Sequence, residues 1–231
     1  MNSSDAYIQI DNELNKLSSG DYPNIEANQI QEAVNKAALV WVRRQLHGGN
    51  QYREGTESSI TRVDDLQVLL KPAKLSGSNK DIYFQSTKLP SDYMRISRVT
   101  PICNKDNCIS IRLPSHLKED SNVDDYLSDW DYSPSFDFEQ TFHIMAGNKI
   151  RQYHNNDFEV KELDISYYTI PQFIQFEGAI LPSGGIGKDM TWQFKEDVAQ
   201  EIISETIEIL AGSIESYNRQ ALSEKEKEEN N

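Results

Sequence analysis

The sequence predicts an α+β fold in which helices from both ends of the chain form one bundle and a mainly antiparallel β lobe is inserted between them. Three observations predict it. In Lys195–Tyr217, Val198, Ala199, Ile202, Ile203, Ile207, Leu210, Ala211 and Ile214 recur at three- and four-residue steps. They cover about half of a helical wheel, and a face that wide calls for other helices as its cover. The comparable stretch is Ala27–Leu46, near the opposite end. Between them, from Asp81 onward, the apolar period changes to that of strands. The expected boundaries are a bundle of residues 1–70 and 190–218, a β-rich insertion of 71–189, and a polar tail of 219–231.

Taken in order, Ala6–Leu17 places Tyr7, Ile10, Leu14 and Leu17 at helical spacing, with Ser4 or Asp5 as the N-cap. Ser18–Pro23 stops it. Ala27–Leu46 carries Ile30, Val34, Ala37, Ala38, Trp41, Val42 and Leu46, and His47-Gly48-Gly49 ends it. Arg43 and Arg44 stand in its last turn, where the helix dipole favours cations. Val63–Leu70 reads as a short helix broken by Pro72.

Strands are expected over Ile82–Ser86, Tyr93–Ile102 and Ile109–Leu113, followed by one or two helical turns over Val123–Trp130. Glu139–Met145, Lys149–His154 and Phe158–Ile170 read as a three-stranded meander. Gly147-Asn148 and Asn155-Asn156-Asp157 are its turns, and Pro171 closes the last strand.

Composition bounds the function. Of 231 residues only 37% are hydrophobic, below the roughly 45–50% of a typical domain. A core so thin suggests burial against neighbouring subunits, although on composition alone an ordinary monomer with a large polar surface is the plainer reading. The net charge is −14; four Glu against two Lys after Leu222 leave −2 on the tail and −12 on the body. A body this acidic argues against wrapping nucleic acid, which needs cations to displace counterions, and does not argue against a channel through which nucleic acid slides; solubility is the plainer cause of most of the charge. No apolar run approaches the roughly eighteen residues of a membrane span. The acidic N-terminus has no hydrophobic signal core, so a reducing compartment is expected.

Catalytic and metal motifs do not survive inspection. Pro182–Asp189 (PSGGIGKD) is not a phosphate loop, because Pro182 and Asp189 stand where Gly and Ser or Thr are needed. Cys103 and Cys108 lack partners for zinc and are expected to be free thiols. Asp124, Asp125, Asp129 and Asp131 lack the central Gly of a calcium loop and read as a solvated face. His143 and His154 lie in strands with no nucleophile elbow nearby. Tyr167, Tyr168, Phe173 and Phe176 lack interleaved basic residues, so a core or a subunit interface is a plainer role than base stacking.

Several stretches carry a family resemblance together: Glu32–Gly48, Asp64–Leu70, Leu89–Pro101, Gly147–Pro171 and Phe194–Asn218. In order and wording they resemble the head-to-tail connector (ring) protein of crAss-like phages, and they are more distantly similar to the adaptor or gatekeeper proteins of short-tailed phages. The resemblance spans roughly Ile10 to Asn218.

It implies a virion structural protein without cofactor or catalytic residues, assembled in the host cytoplasm and located at the head–tail junction. About twelve copies form a ring beneath the portal. Its partners are further copies of itself, the portal protein and the next tail ring or tail-tube protein, and double-stranded DNA passes through without specific binding. A C-terminal extension contacts the portal or a neighbour; the matching residues are Tyr217, Asn218, Arg219 and Leu222. The alternative is a phage-associated cell-wall hydrolase or an accessory protein.

Overall fold

The computed structural model describes residues 1–17, 25–47, 64–105, 110–181 and 184–229. The chain divides into two compact units, Met1–Val68 with Pro171–Asn231, and Leu69–Ile170.

The first unit holds α1 (Ser3–Leu17), α2 (Ala27–His47) and, after the strands and short helix of the second unit, α4 (Glu196–Glu229). α4 packs against both α1 and α2. Ala6, Ile10 and Leu14 of α1 are buried, as are Val34, Ala37, Trp41 and Val42 of α2 and Val198, Ala199, Ile202, Ile203 and Leu210 of α4. These positions recur at three or four residues, so each helix presents one continuous apolar stripe.

Polar side chains hold the extended segment after Pro171. Asn35 accepts from the Ile174 amide (2.7 Å) and donates to the Ile174 carbonyl (3.1 Å). Gln31 accepts from the Phe176 amide (3.0 Å) and Asn28 from the Ile180 amide (2.9 Å). Asn28, Gln31 and Asn35 share one side of α2. They satisfy backbone groups that no strand partner takes up.

The described residues of the second unit form nine strands in two sheets. Its strands are β1 (Leu70–Leu75), β2 (Gly77–Asn79), β3 (Tyr83–Ser86), β4 (Tyr93–Asn104), β5 (Ile111–Arg112), β6 (Ser115–Leu117), β7 (Thr141–Ala146), β8 (Lys149–Tyr153) and β9 (Glu159–Thr169). One sheet has the order β1-β9-β4-β5 and the other β2-β3-β8-β7-β6, with β6 and β7 parallel. Leu75, Val99, Cys103, Val160, Leu163 and Ile165 of the first sheet form one core with Phe84 and Ile150 of the second. The opposite face of the second sheet, with Phe142, Ile144 and Tyr153, is covered by Val123, Tyr126 and Leu127 of α3 (Val123–Ser128) and its surroundings. Covered on both sides, β7 is buried from Thr141 to Ile144, which is why its sequence shows no alternation.

The expected helical bundle with an inserted lobe is therefore corrected. The chain is 36% helical and 32% strand, with two sheets of four and five strands, so the β part is a two-layer sandwich with its own core rather than an appendage. The signal was missed chiefly at β1 and β2. Pro72, expected to break a helix, sits within β1, whose one sheet neighbour among the described residues is β9; an edge strand tolerates a residue without an amide proton. The short helix expected at Val63–Leu70 is present over residues 64–69, its second half as the 3-10 segment Gln67–Leu69, while Leu70 already belongs to β1 and Val63 lies outside the described residues. At Gly77 a Cβ would lie 2.1 Å from the Gln85 carbonyl, so only glycine lets β2 approach β3.

The three-stranded meander is corrected as well. β7 and β8 form a hairpin through Gly147 (φ 58°) and Asn148 (φ 60°), the paired positive values of a type I′ turn. Asn155 (φ 46°) and Asn156 (φ 59°) also take left-handed conformations, but they carry the chain across to the other sheet. There β9 lies between β1 and β4. Burial of Phe158 and Val160 in the inter-sheet core wins over local hairpin pairing.

Candidate functional site

The residues expected to form an interface, Tyr217, Asn218, Arg219 and Leu222, continue the helical path of α4, and their side chains lie outside the described residues. The part of α4 that carries them outward is fixed by polar contacts to α2. The Trp41 indole donates to Glu201 (2.7 Å) and the Arg44 guanidinium to Glu205 (2.7 Å). Arg44 thus has a defined carboxylate partner beyond the helix dipole. Lys195 pairs with Asp64 and lies 3.6 Å from Asp65. The Asp65 carboxyl is raised above the usual range by burial, then by the Asp197 and Glu201 carboxylates.

In the second unit the residues that most resemble catalytic machinery are Ser115 and His143, with Ser115 Oγ 2.7 Å from His143 Nδ1. The surrounding bonds settle its protons. Gln152 Nε2 donates to the Phe142 carbonyl (2.9 Å) and to Thr141 Oγ1 (2.8 Å), and a carbonyl only accepts, so the amide orientation is fixed. Gln152 Oε1 then takes the Ser115 hydroxyl proton at 2.9 Å. Ser115 is left to accept from His143 Nδ1–H.

The free lone pair is on His143 Nε2, which is buried without a partner. Burial, and next the His116 charge, push His143 down to about 4. A histidine donating to its serine cannot take that serine's proton, which is the opposite of a nucleophile–base pair. Ser115, Thr141, His143 and Gln152 form a polar cluster that ties β6, β7 and β8 of the second sheet together. Sequence reasoning had singled out His143, but Ser115 and Gln152 carry no signal until the parallel β6–β7 pairing brings them in.

Open clefts lie among the described residues of this unit. One of about 500 Å³ is lined by Asn79, Lys80, Asn104, Lys105, His154 and Asp157 among others. Lys105 bridges Asp157 (2.8 Å) and Asp137 (2.9 Å), so its charge is already matched. Another, of about 310 Å³, is lined by His116, Lys118, Tyr126, Tyr132 and Phe142 among others. Lys118 Nζ stands 4.1 Å from the centre of the Tyr126 ring, a cation–π contact. Tyr132 of this lining is exposed, as are Leu117, Trp130 and Phe138 elsewhere in the same stretch of chain, Trp130 to 80%.

The other singled-out residues separate. Asp124, Asp125, Asp129 and Asp131 are exposed, and among the described residues no group of three or more His, Cys, Asp or Glu could hold a metal ion. Tyr167 and Phe176 are buried, whereas Phe173 is 53% exposed. Cys103 is a buried free thiol, and Cys108 lies outside the described residues. Ser3 and Ser4 bond Asp189, so the acid that spoils a phosphate loop caps a helix instead. No helix among the described residues is long and apolar enough to cross a membrane. In comparison with known proteins, no family model matches the chain and no curated protein matches it.

Proposed function

We propose that this protein is a virion structural component, a head-to-tail connector whose copies form a ring beneath the portal and around the DNA path. The observation that carries the reading is the exposed apolar surface. Trp130 (80%), Phe138 (67%) and Tyr132 (59%) in the second unit, and Ile186 (73%) and Ile180 (62%) in the first, stand in water in the isolated chain. Large aromatic side chains held at the surface of a chain with a thin core belong to a subunit built to be covered. The resemblance over Ile10–Asn218 supplies the identity of the assembly. The acidic body supports a channel role, because a wall that attracts phosphate would hold DNA rather than let it pass.

The test is electron microscopy of the protein co-expressed with the portal protein from the same genome, compared with the portal alone. An added layer with the portal's rotational symmetry is the expected result. A portal left bare under co-expression would overturn the connector reading.

A further inference from the structure

The five-stranded sheet carries opposite charge at its two ends. Its register places Ser78, Gln85, Arg151 and Ile144 in one row across β2, β3, β8 and β7. Tyr83 and Tyr153 stand two residues away on one side of this row, and Lys149 and Ala146 two residues away on the other. Residues two apart in a strand share a face. Tyr83, Ile144, Ala146 and Tyr153 belong to the outward cluster, whereas Phe84 and Ile150 point into the inter-sheet core. Lys149 and Arg151 are therefore on the outward face.

Toward β2 and β3 that face is basic, because the rows with Lys149 and Arg151 hold no carboxylate. Exposed Lys88 is drawn to the same end: the Leu89 amide donates to the Asn148 carbonyl (3.0 Å), in the turn that precedes Lys149. Arg151 has tyrosine neighbours. Its guanidinium carbon lies 5.3 Å from the centre of the Tyr83 ring. Burial raises the Tyr153 hydroxyl, with Arg151 opposing and Asp120 adding to the shift. The ring contact holds the guanidinium without neutralising it. Among the described residues no carboxylate forms an ion pair with Lys88, Lys149 or Arg151. Arginine beside tyrosine on a half-buried face is the composition of a docking surface.

At the opposite edge of the sheet, where β6 ends, the charge reverses. Residues 117–139, between β6 and β7, hold eight carboxylates against Lys118 alone, a net −7 that is half of the chain's charge. All eight are exposed, together with Leu117, Trp130, Tyr132 and Phe138. Asp137 pairs with Lys105 (2.9 Å), and the other seven have no ion pair among the described residues. Large apolar groups set among unmatched carboxylates fit a surface that brings cations together with apolar cover. The basic end of the same sheet brings both, with Tyr83 and Ala146 beside its cations. Two unlike surfaces at opposite ends of one sheet make a head-to-tail contact, which repeats into a ring or an open chain. We propose that the Lys149–Arg151 side of the five-stranded sheet docks the acidic, aromatic 117–139 segment of a second copy. This deepens the ring reading and rests on it.

The test is sedimentation velocity on the full chain over a range of concentrations, at about 50 mM and about 0.5 M salt. Variants are Lys149→Glu with Arg151→Glu, and Asp124→Lys with Asp125→Lys, each checked for folding by circular dichroism. Lys88→Glu with Lys149→Glu stands in for the first pair where loss of the Arg151–Tyr83 contact disturbs the fold. Expected is self-association that weakens about tenfold at the higher salt and in either double variant, and returns when the two variants are mixed. Wild-type protein that stays monomeric at low salt up to its solubility limit overturns the proposal. So does association indifferent to both variants, or a mixture that fails to recover. Duplex DNA that binds through Lys149 and Arg151 while self-association is unchanged overturns it too, in favour of phosphate. The two readings fail separately. A normal layer on the portal formed by Lys149→Glu/Arg151→Glu sinks this interface alone, and swap-dependent association beside a bare portal sinks the connector alone.

Discussion

Asp189 caps a helix that begins 186 residues earlier in the chain: its Oδ1 accepts from Ser3 Oγ at 2.6 Å, and from Ser4 N and Ser4 Oγ at 3.0 and 2.9 Å. The Ser3 amide donates to the Met190 carbonyl at 2.8 Å. The expected local N-cap, Ser4 or Asp5, is thereby corrected, because both residues lie inside α1. The Ser4 amide of the first turn is satisfied by a distant carboxylate, which also suits the positive end of the helix dipole, and the Ser3 amide by a distant carbonyl.

The first prediction follows from that cap. The Ser3 hydroxyl, then the Ser4 amide and hydroxyl, hold the Asp189 carboxyl below its usual range. Its folded value is depressed, so its contribution is present above the ordinary carboxylate range and is lost as pH falls through the folded value. Asp189→Ala should raise amide exchange at the start of α1 with little effect on α4. Unchanged exchange at Ser3 and Ser4 in that variant would show the cap to be idle.

His143 gives a second, pH-dependent prediction. Its ordinary value is 6.5 and its folded value about 4, so the unfolded chain binds the proton first. Stability of the sheet unit should be full above about 6.5 and fall as pH drops toward 4, then level off, a change of roughly 3 kcal/mol for a shift of this size. Denaturant midpoints at pH 7 and 4.5 check the slope, which His143→Gln should flatten. A slope of equal size in that variant would assign it to other groups.

How much of this was legible in the sequence depends on the range of the contacts. Ile10 and Leu14, or Val198 and Ile202, announce their burial through helical spacing within a few residues. Gly147-Asn148 announces a hairpin because its left-handed conformations are local. The rest is decided at long range. Pro72 looks like a breaker until β9 is known to leave β1 on an edge, and Asn155-Asn156 looks like a hairpin until Phe158 is seen to be drawn into the inter-sheet core. Asn28, Gln31 and Asn35 look merely polar until residues 174–180 lie along them.

Cys103 yields a third prediction. It is buried, and burial raises its thiol to about 12, so the reactive thiolate is scarce at neutral pH. In a Cys108→Ser background the native protein should resist a thiol-reactive disulfide reagent, and labelling should appear only with unfolding. Labelling of the folded protein within minutes would contradict the burial.

The three tryptophans allow a fourth prediction that separates core from surface. Trp41 and Trp192 are 2% and 4% exposed, while Trp130 is 80% exposed. Trp130→Ala removes the solvated emitter, so native fluorescence should move to shorter wavelength while stability changes by no more than about 0.5 kcal/mol. The remaining signal then reports the helical unit alone, since Trp41 and Trp192 both belong to it. In that background Ile202→Ala, at a fully buried position of α4, should cost about 2–5 kcal/mol through lost transfer energy and the cavity left behind. Residue 202 faces the contact between α4 and its neighbours, where close packing leaves little freedom to collapse into the void. A loss below about 1 kcal/mol would mean that the stripe of α4 is only loosely covered. A red-shifted Trp130→Ala spectrum would place Trp41 or Trp192 in water and overturn the packing of α2 on α4.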